Sequence, residues 1–189
     1  MPNEIIDSVL AGDKESFRKL VSLYKDGAYN LALSVLKNDF YAKDAVQQAF
    51  VNVWLNLNRY RKDAPFKYWF HKILINECYQ ILRKNPDLHK NFVTESVEET
   101  EMIASEETTE FSTDLTHLRY YIDVALEKLS PEKSLALKLF YIESYSVKEI
   151  NSITGWSVSD TKVKLHRGRK NMKDFLVNKL NLNPEKLYL

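Results

Sequence analysis

The chain has 189 residues, which is enough for one sizeable hydrophobic core or two small ones. With 44% hydrophobic and 28% charged residues its composition is that of an ordinary globular protein, and 4 glycines and 5 prolines offer little turn chemistry for a many-stranded β-protein. The single cysteine excludes an internal disulfide and no segment has the roughly 20 apolar residues of a membrane span, so we expect a cytoplasmic protein without membrane insertion.

The net charge of +1 conceals an uneven distribution along the chain. Residues 1–91 carry 14 Lys/Arg against 10 Asp/Glu, residues 92–114 carry 8 Asp/Glu and no Lys/Arg, and residues 115–189 carry 13 Lys/Arg against 8 Asp/Glu. A whole chain close to neutrality therefore remains compatible with nucleic-acid binding by its basic parts. The changes in charge at these boundaries predict two domains, 1–91 and 115–189, joined by a flexible acidic linker over 92–114.

Hydrophobic periodicity predicts three helices in the first basic segment, over residues 13–36, 45–57 and about 66–83. Asp13 is placed to cap the first helix, and Asn38-Asp39 should end it. Trp54 is expected on the inner, apolar face of the second helix. Asn85-Pro86 should end the third, because proline disfavours helical geometry in the residue before it.

The second basic segment is also predicted to be helical. An amphipathic helix covers residues 115–129, and Ser130-Pro131-Glu132 is typical of the start of another helix, which should end near Glu143. Residues 146–173 then read as a short helix, a tight turn at Gly155 and a longer helix that Ser157 or Ser159 can cap. The predicted fold is all-α, with two small helical domains, the second carrying a helix-turn-helix.

The helix-turn-helix is the most informative pattern in the chain. Such a unit places its second helix in the DNA major groove, while nearby cations hold the phosphates. A basic helix alone is often just a solvated surface, but here a preceding helix and a correctly placed glycine favour a DNA reader. Two other interpretations stay open: a regulator that binds an operator as a dimer, and a protein-interaction module that has lost DNA binding.

Two stretches of the first segment carry further patterns. Residues 59–90 mix cations with aromatic side chains, a combination suited to single-stranded nucleic acid, although Trp69 is more often a core residue in such a pattern. Residues 44–54 present a polar helix face that could be a partner surface. The four histidines are scattered, without metal-ligand spacing, and His71 is expected at the surface or its boundary. We therefore expect no enzyme, no metal and no cofactor.

Several blocks, in order along the chain, resemble one family. They are FRKLV at 17–21, DAVQQAF at 44–50, FKYWF at 66–70, LSP at 129–131, SVKEI at 146–150 and VKLHRGR at 163–169. Together they resemble the bacterial sigma factors of the extracytoplasmic-function type. The resemblance implies an alternative sigma factor that binds core RNA polymerase and directs promoter recognition and transcription initiation. It also implies an anti-sigma partner, and we expect a monomer when the chain is free.

The resemblance implies roles for particular residues. Core polymerase would be bound by Asp44, Gln47, Gln48 and Phe50. The minus-ten promoter element would be contacted by Arg59, Arg61, Lys62, Lys67, Lys72, Asn76, Arg83 and Lys84. The minus-thirty-five element would be contacted by Ser157, Ser159, Lys162, Val163, Lys164, His166, Arg167, Arg169 and Lys170.

The chain also departs from the family pattern. Gln48 stands where many relatives carry glutamate. Asn151, Thr154 and Thr161 stand where small or apolar residues are usual in the helix-turn-helix. An unpaired amide or hydroxyl in a small core costs about 1–3 kcal/mol, so these three residues predict a loosely packed upstream reader unless each finds a partner.

Overall fold

The computed structural model describes residues 2–88 and 115–180, and within these ranges every regular element is helical. The elements are α1 (Pro2–Leu10), α2 (Lys14–Leu36), α3 (Asp39–Asn56), a 3₁₀ turn (Leu57–Arg59), α4 (Phe66–Lys84), α5 (Leu115–Lys128), α6 (Pro131–Leu137), a π-helical turn (Lys138–Ile142), α7 (Val147–Thr154) and α8 (Val158–Leu180). The all-α prediction is confirmed. The segment expected to be an acidic linker, 92–114, lies outside the described residues.

The predicted break after α2 is built from a left-handed residue and a cap. Asp13 begins α2 as expected, accepting a hydrogen bond from the Glu15 N–H at 2.9 Å. Lys37 ends α2 with φ of 50°, in the left-handed region. Asn38 then starts α3, its side chain accepting from the Tyr41 N–H at 3.1 Å. The chain therefore turns from one helix into the next within two residues.

The core of the first half forms where α2, α3 and α4 meet. Phe70 on α4 is fully buried and its ring stacks on that of Phe50, with centroids 4.8 Å apart. The inner stripe of α3 is Ala45, Ala49 and Val53, all fully buried at helical spacing. Trp54 was expected in this stripe, but it is 42% exposed. The prediction was wrong because position 54 follows Val53 by about 100° around the helix, at the edge of the packed face.

The helix-turn-helix has the predicted turn. Gly155 has φ of 78°, and its N–H donates to the Asn151 carbonyl at 2.8 Å, so a left-handed glycine closes α7. Of the two serines proposed to cap the second helix, Ser157 does so, accepting from the Asp160 N–H at 3.1 Å. The start of α7 carries a reciprocal capping box between Ser146 and Glu149.

The three polar residues that departed from the family pattern all have partners. The amide of Asn151 donates to the Val147 carbonyl at 2.8 Å and to Oγ1 of Thr161 at 2.6 Å, and its oxygen accepts from the Val158 N–H at 3.1 Å. The Thr154 hydroxyl donates to the Ile150 carbonyl at 2.8 Å. The expected looseness of this small core is therefore not found.

The two halves of the chain share apolar contacts. The second half has a cluster of its own, which includes Leu129, Leu137, Leu165 and Leu176. Five buried residues of the second half instead belong to the core of the first half, and they are Leu135, Leu139, Tyr145, Ile150 and Ile153. The second half is thus packed against α2 and α4.

Candidate nucleic-acid interface

An apolar groove runs between α2 and α3 on the surface of the first half. It has a volume of about 560 Å³, and Phe17, Val21, Val51 and Trp54 are among the residues that line it. Trp54 is held there by an edge-on contact with the Phe17 ring, with centroids 4.8 Å apart. A concave apolar surface rimmed by charged side chains is suited to the apolar face of a partner helix.

The expected polymerase-binding residues lie on α3 and partly border this groove. Gln47 and Phe50 line it, although Phe50 is largely buried. Asp44 is half-buried and Gln48 exposed, and neither lines the groove. The exposed Trp54 ring and the exposed Val51 side chain of this groove were not expected. Their signal was present, because α3 carries Val51 and Trp54 outside its inner stripe.

The loop between α3 and α4 presents the first group of expected DNA contacts. Arg59, Arg61 and Lys62 are all exposed. Tyr60 is buried beneath them, and its hydroxyl donates to the Ala64 carbonyl at 2.6 Å, which ties the loop across its width. Lys62 has φ of 61° and forms an ion pair with Asp7 of α1. The loop is therefore shaped by its own contacts, with its two arginines facing solvent.

The outer face of α4 carries the next group. Lys72, Asn76, Arg83 and Lys84 are exposed, and together with the loop arginines they form a basic surface on the first half. Asn76 and Arg83 also border a shallow depression of about 450 Å³. This surface can hold phosphates and offers one amide for a base edge.

The aromatic side chains of α4 are mostly structural. Trp69 is half-buried, with its ring 5.5 Å from that of Tyr60 and 5.8 Å from that of Phe66, so it packs into the core as the pattern favoured. None of these three rings is free to act as an open stacking platform in the described arrangement.

Lys67 and His71 lie on a different face of α4, against the second half. Lys67 forms an ion pair with Glu143. The Tyr145 hydroxyl lies 3.1 Å from Nδ1 of His71, which is 2% exposed. The expected surface position of His71 is therefore wrong, since Tyr145 and the packing of the second half cover it. Burial is the main cause that lowers the pKa of His71 to about 4, with Glu143 opposing the shift and Lys67 adding to it.

The second basic surface is the solvent face of α8. Six of the expected residues there are exposed, at positions that share one side of the helix: Ser159, Lys162, Val163, His166, Arg167 and Lys170. Ser157 is exposed at the helix start, where it serves as the cap. This face joins cations, hydroxyls and one small apolar side chain, the residue types that read base edges and hold phosphates in a major groove.

Two expected contacts of α8 are engaged inside the protein. The ammonium group of Lys164 is 2.6 Å from Oδ1 of Asp160 and 3.1 Å from Oε2 of Glu132, and it lies 4.9 Å from the centre of the Trp156 ring. Burial lowers the pKa of Lys164, but the hydrogen bonds to these carboxylates outweigh burial and raise it. Arg169 is half-buried and donates to the Tyr141 hydroxyl at 3.1 Å.

In residues 2–88 and 115–180, no cluster of His, Cys, Asp or Glu could hold a metal ion. No helix in the same ranges is long and apolar enough to cross a membrane.

Comparison with known proteins gives matches to both halves. The family model for sigma-70 region 2 matches residues 20–86, and that for sigma-70 region 4 matches residues 119–172. The chain is 28% identical over 170 residues to the ECF RNA polymerase sigma factor SigW of Bacillus subtilis, covering 87% of this chain and 91% of SigW. It is 27% identical over 153 residues to the sigma factor SigV of the same organism, covering 79% and 84%.

Two solved structures share the fold. One is the sigma factor RpoE of Bartonella quintana in complex with the anti-sigma factor NepR, with a TM-score of 0.60 at 22% identity, covering 86% of this chain and 97% of RpoE. The other is CnrH in complex with the cytosolic domain of CnrY, with a TM-score of 0.58 at 20% identity, covering 92% and 96%.

Proposed function

The chain belongs to the sigma-70 family, in its extracytoplasmic-function group, and from this premise we propose which of its surfaces bind core RNA polymerase and promoter DNA. It is an alternative sigma factor that directs promoter recognition and transcription initiation, and not an enzyme. The observation that carries this conclusion is the presence of region 2 and region 4 in one chain and in that order. A dimeric operator-binding regulator is not favoured, because it leaves the first half without a role.

The groove between α2 and α3 is the proposed polymerase-binding site. Asp44, Gln47 and Gln48 supply polar contacts along α3, and Phe50 forms part of the groove floor. The exposed Trp54 ring supports this assignment, because a large aromatic side chain in a concave patch is a usual anchor of a protein interface. A helical element of the polymerase is the partner that fits such a groove.

The two basic surfaces are the proposed promoter contacts. In the first half, the minus-ten element would be bound by Arg59, Arg61, Lys62, Lys67, Lys72, Asn76, Arg83 and Lys84. In the second half, the minus-thirty-five element would be bound by the exposed face of α8. Lys62, Lys67 and Lys164 would exchange carboxylate partners for phosphates, and Arg169 would exchange the Tyr141 hydroxyl.

Control by an anti-sigma factor and a cytoplasmic location are part of the same proposal. The RpoE structure that shares this fold is a complex with an anti-sigma factor. We expect the corresponding partner of this chain to compete with core polymerase for it.

Transcription with purified components tests the function. The chain is added to core polymerase that lacks a sigma factor, and the 5′ ends of transcripts from genomic DNA are sequenced. Discrete start sites that share two upstream motifs are expected. Failure to bind core polymerase would overturn the proposed roles, whereas binding without discrete starts would overturn the assignment of the DNA surfaces alone.

A further inference from the structure

The second half of the chain lies across one face of α4, and its polar contacts with that face concentrate between the π-helical turn and α7. Glu143 pairs with Lys67, and the Tyr145 hydroxyl lies 3.1 Å from Nδ1 of His71. The Tyr145 ring also meets the Tyr68 ring edge-on, with centroids 5.9 Å apart. One short segment thus contacts three positions on α4.

Glu143 and Tyr145 are largely buried at these contacts. The side chain of Glu143 is 11% exposed and that of Lys67 is 44% exposed. A carboxylate that is largely withdrawn from water needs an opposite charge or hydrogen-bond donors, so Glu143 depends on its partner more than a surface glutamate would. Tyr145 is itself buried and belongs to the core of the first half. Residues 143–145 are therefore held against α4 by apolar packing as well as by polar contacts.

The ion pair between Glu143 and Lys67 also engages the Lys67 ammonium group, which the proposed DNA contact requires. A carboxylate held against an ammonium group makes the same kind of charge-assisted contact as a DNA phosphate does. While Glu143 pairs with it, the charge of Lys67 is already neutralised, and a phosphate brought to it would also meet the like charge of the carboxylate. A DNA phosphate is therefore expected to bind Lys67 more weakly while Glu143 holds it.

On the basis of the proposed role of Lys67 in promoter binding, we propose that Glu143 and Tyr145 form an autoinhibitory latch. The latch holds the second half against α4 and keeps Lys67 engaged, so that the closed arrangement and DNA compete for the same side chain. Sigma factor with the latch closed binds DNA weakly, and opening of the latch exposes the face of α4 that carries Lys67 and His71.

The expected size of the effect follows from the competition. When the binding-competent state is a minor one, the measured affinity is reduced in proportion to its population. A partly exposed ion pair shifts such an equilibrium by roughly fivefold. Removing the charge of Glu143 should therefore tighten DNA binding by roughly fivefold, even if apolar contacts keep most molecules closed.

Glu143→Gln tests this in the full chain, because it removes the charge and keeps the shape. The probe is a mixed-sequence single-stranded DNA oligonucleotide, and its binding is followed by fluorescence anisotropy. Opening is followed by energy transfer between dyes on Lys19→Cys in α2 and Lys173→Cys in α8, both exposed positions. The native Cys78 needs no replacement, since it is fully buried and burial raises its pKa to about 12.

Glu15→Gln is the matched control, because it makes the same substitution in an exposed ion pair, with Arg18 on α2, outside the residues proposed to bind DNA. We expect Glu143→Gln to bind the oligonucleotide roughly fivefold tighter than Glu15→Gln, and energy transfer to fall as DNA binds. Tyr145→Phe, which removes only the hydroxyl, should act in the same direction.

The outcomes separate the latch from the function on which it rests. Equal affinities for Glu143→Gln and Glu15→Gln would overturn the latch, as would DNA binding without a fall in energy transfer. Either result leaves the transcription assay unaffected, because start-site selection with core polymerase does not depend on the latch. Failure of that assay would instead remove the DNA role of Lys67 and the latch with it.

Discussion

The side-chain amide of Asn151 and the hydroxyl of Thr161 join the two helices of the helix-turn-helix, with 2.6 Å between the donor nitrogen and Oγ1. Thr161 is fully buried at this contact. The same amide also reaches the Val147 carbonyl and the Val158 N–H, which is the first backbone N–H of α8. One polar side chain therefore fixes the position of the DNA-facing helix against its support.

This contact predicts an unequal cost for two substitutions. Asn151→Ala leaves the buried Thr161 hydroxyl and the Val158 N–H without partners, and we expect it to lower the free energy of unfolding by about 2–3 kcal/mol. Thr161→Val removes one partner and keeps the shape, so about 1 kcal/mol is expected. Urea unfolding followed by circular dichroism measures both. Equal losses in the two variants would contradict the hydrogen-bond network.

Several turns and helix starts could be predicted from the sequence, because their causes lie in neighbouring residues. Gly155 was identifiable because a left-handed turn favours glycine, and the start of α4 at Phe66 followed from periodicity and the polar loop before it. The capping box of Ser146 and Glu149 also has a local sequence signature, a serine followed three residues later by a glutamate. The pairing of Asn151 with Thr161 was not foreseen, because a polar residue gives no sign of which partner the fold will bring to it.

His71 predicts a pH dependence of the free energy of unfolding. Its pKa is about 4 in the folded chain against 6.5 when it is exposed, and the charged or titratable groups around it are Lys67, Glu143 and Tyr145. In the unfolded chain His71 is exposed, so between pH 6.5 and about 4 the unfolded chain binds more protons than the folded chain does. The folded state therefore loses stability as the pH falls through this range. The loss from this group reaches at most about 3 kcal/mol.

Urea unfolding across that pH range, in the native chain and in His71→Asn, isolates this contribution. The variant should lose stability less steeply over the same interval. His166→Asn is the matched control, since it makes the same replacement at an exposed position on α8. A slope that His71→Asn does not reduce would show that other groups cause the acid sensitivity.

The candidate site was less predictable than the fold. The exposed cations of α4 and α8 were found because helical spacing places them on one face. The ion pair between Lys67 and Glu143 joins residues 76 positions apart in the chain, and no periodic pattern connects them. The exposure of Trp54 was missed for a related reason, since whether an aromatic side chain is core or surface at the edge of a helix face depends on what packs beside it.

Trp54 predicts a large loss of polymerase binding. Trp54→Ala removes a ring that lines the groove, and we expect the affinity for core polymerase to fall by roughly 30-fold, the effect of losing a central aromatic anchor. Leu55→Ala is the matched control, because Leu55 is 66% exposed on the same helix and does not line the groove. Titration of labelled core polymerase measures both, and similar affinities for the two variants would place the polymerase elsewhere.

Lys162 and Lys164 are two residues apart on α8 and predict opposite behaviour. Lys162 is exposed on the DNA-facing side of α8. Lys162→Ala should therefore weaken binding to double-stranded promoter DNA and reduce the dependence of log affinity on log salt by about one phosphate contact, with little change in the free energy of unfolding.

Lys164 is held by Asp160 and Glu132 over the Trp156 ring. Lys164→Ala should therefore lower the free energy of unfolding by about 1 kcal/mol and leave the salt dependence of DNA binding nearly unchanged. Anisotropy titrations at several salt concentrations, with holoenzyme assembled from each variant, and urea unfolding of each free chain distinguish the two. If Lys164→Ala reduced the salt dependence as much as Lys162→Ala, the internal contacts of Lys164 would have to be exchanged for a phosphate when DNA binds.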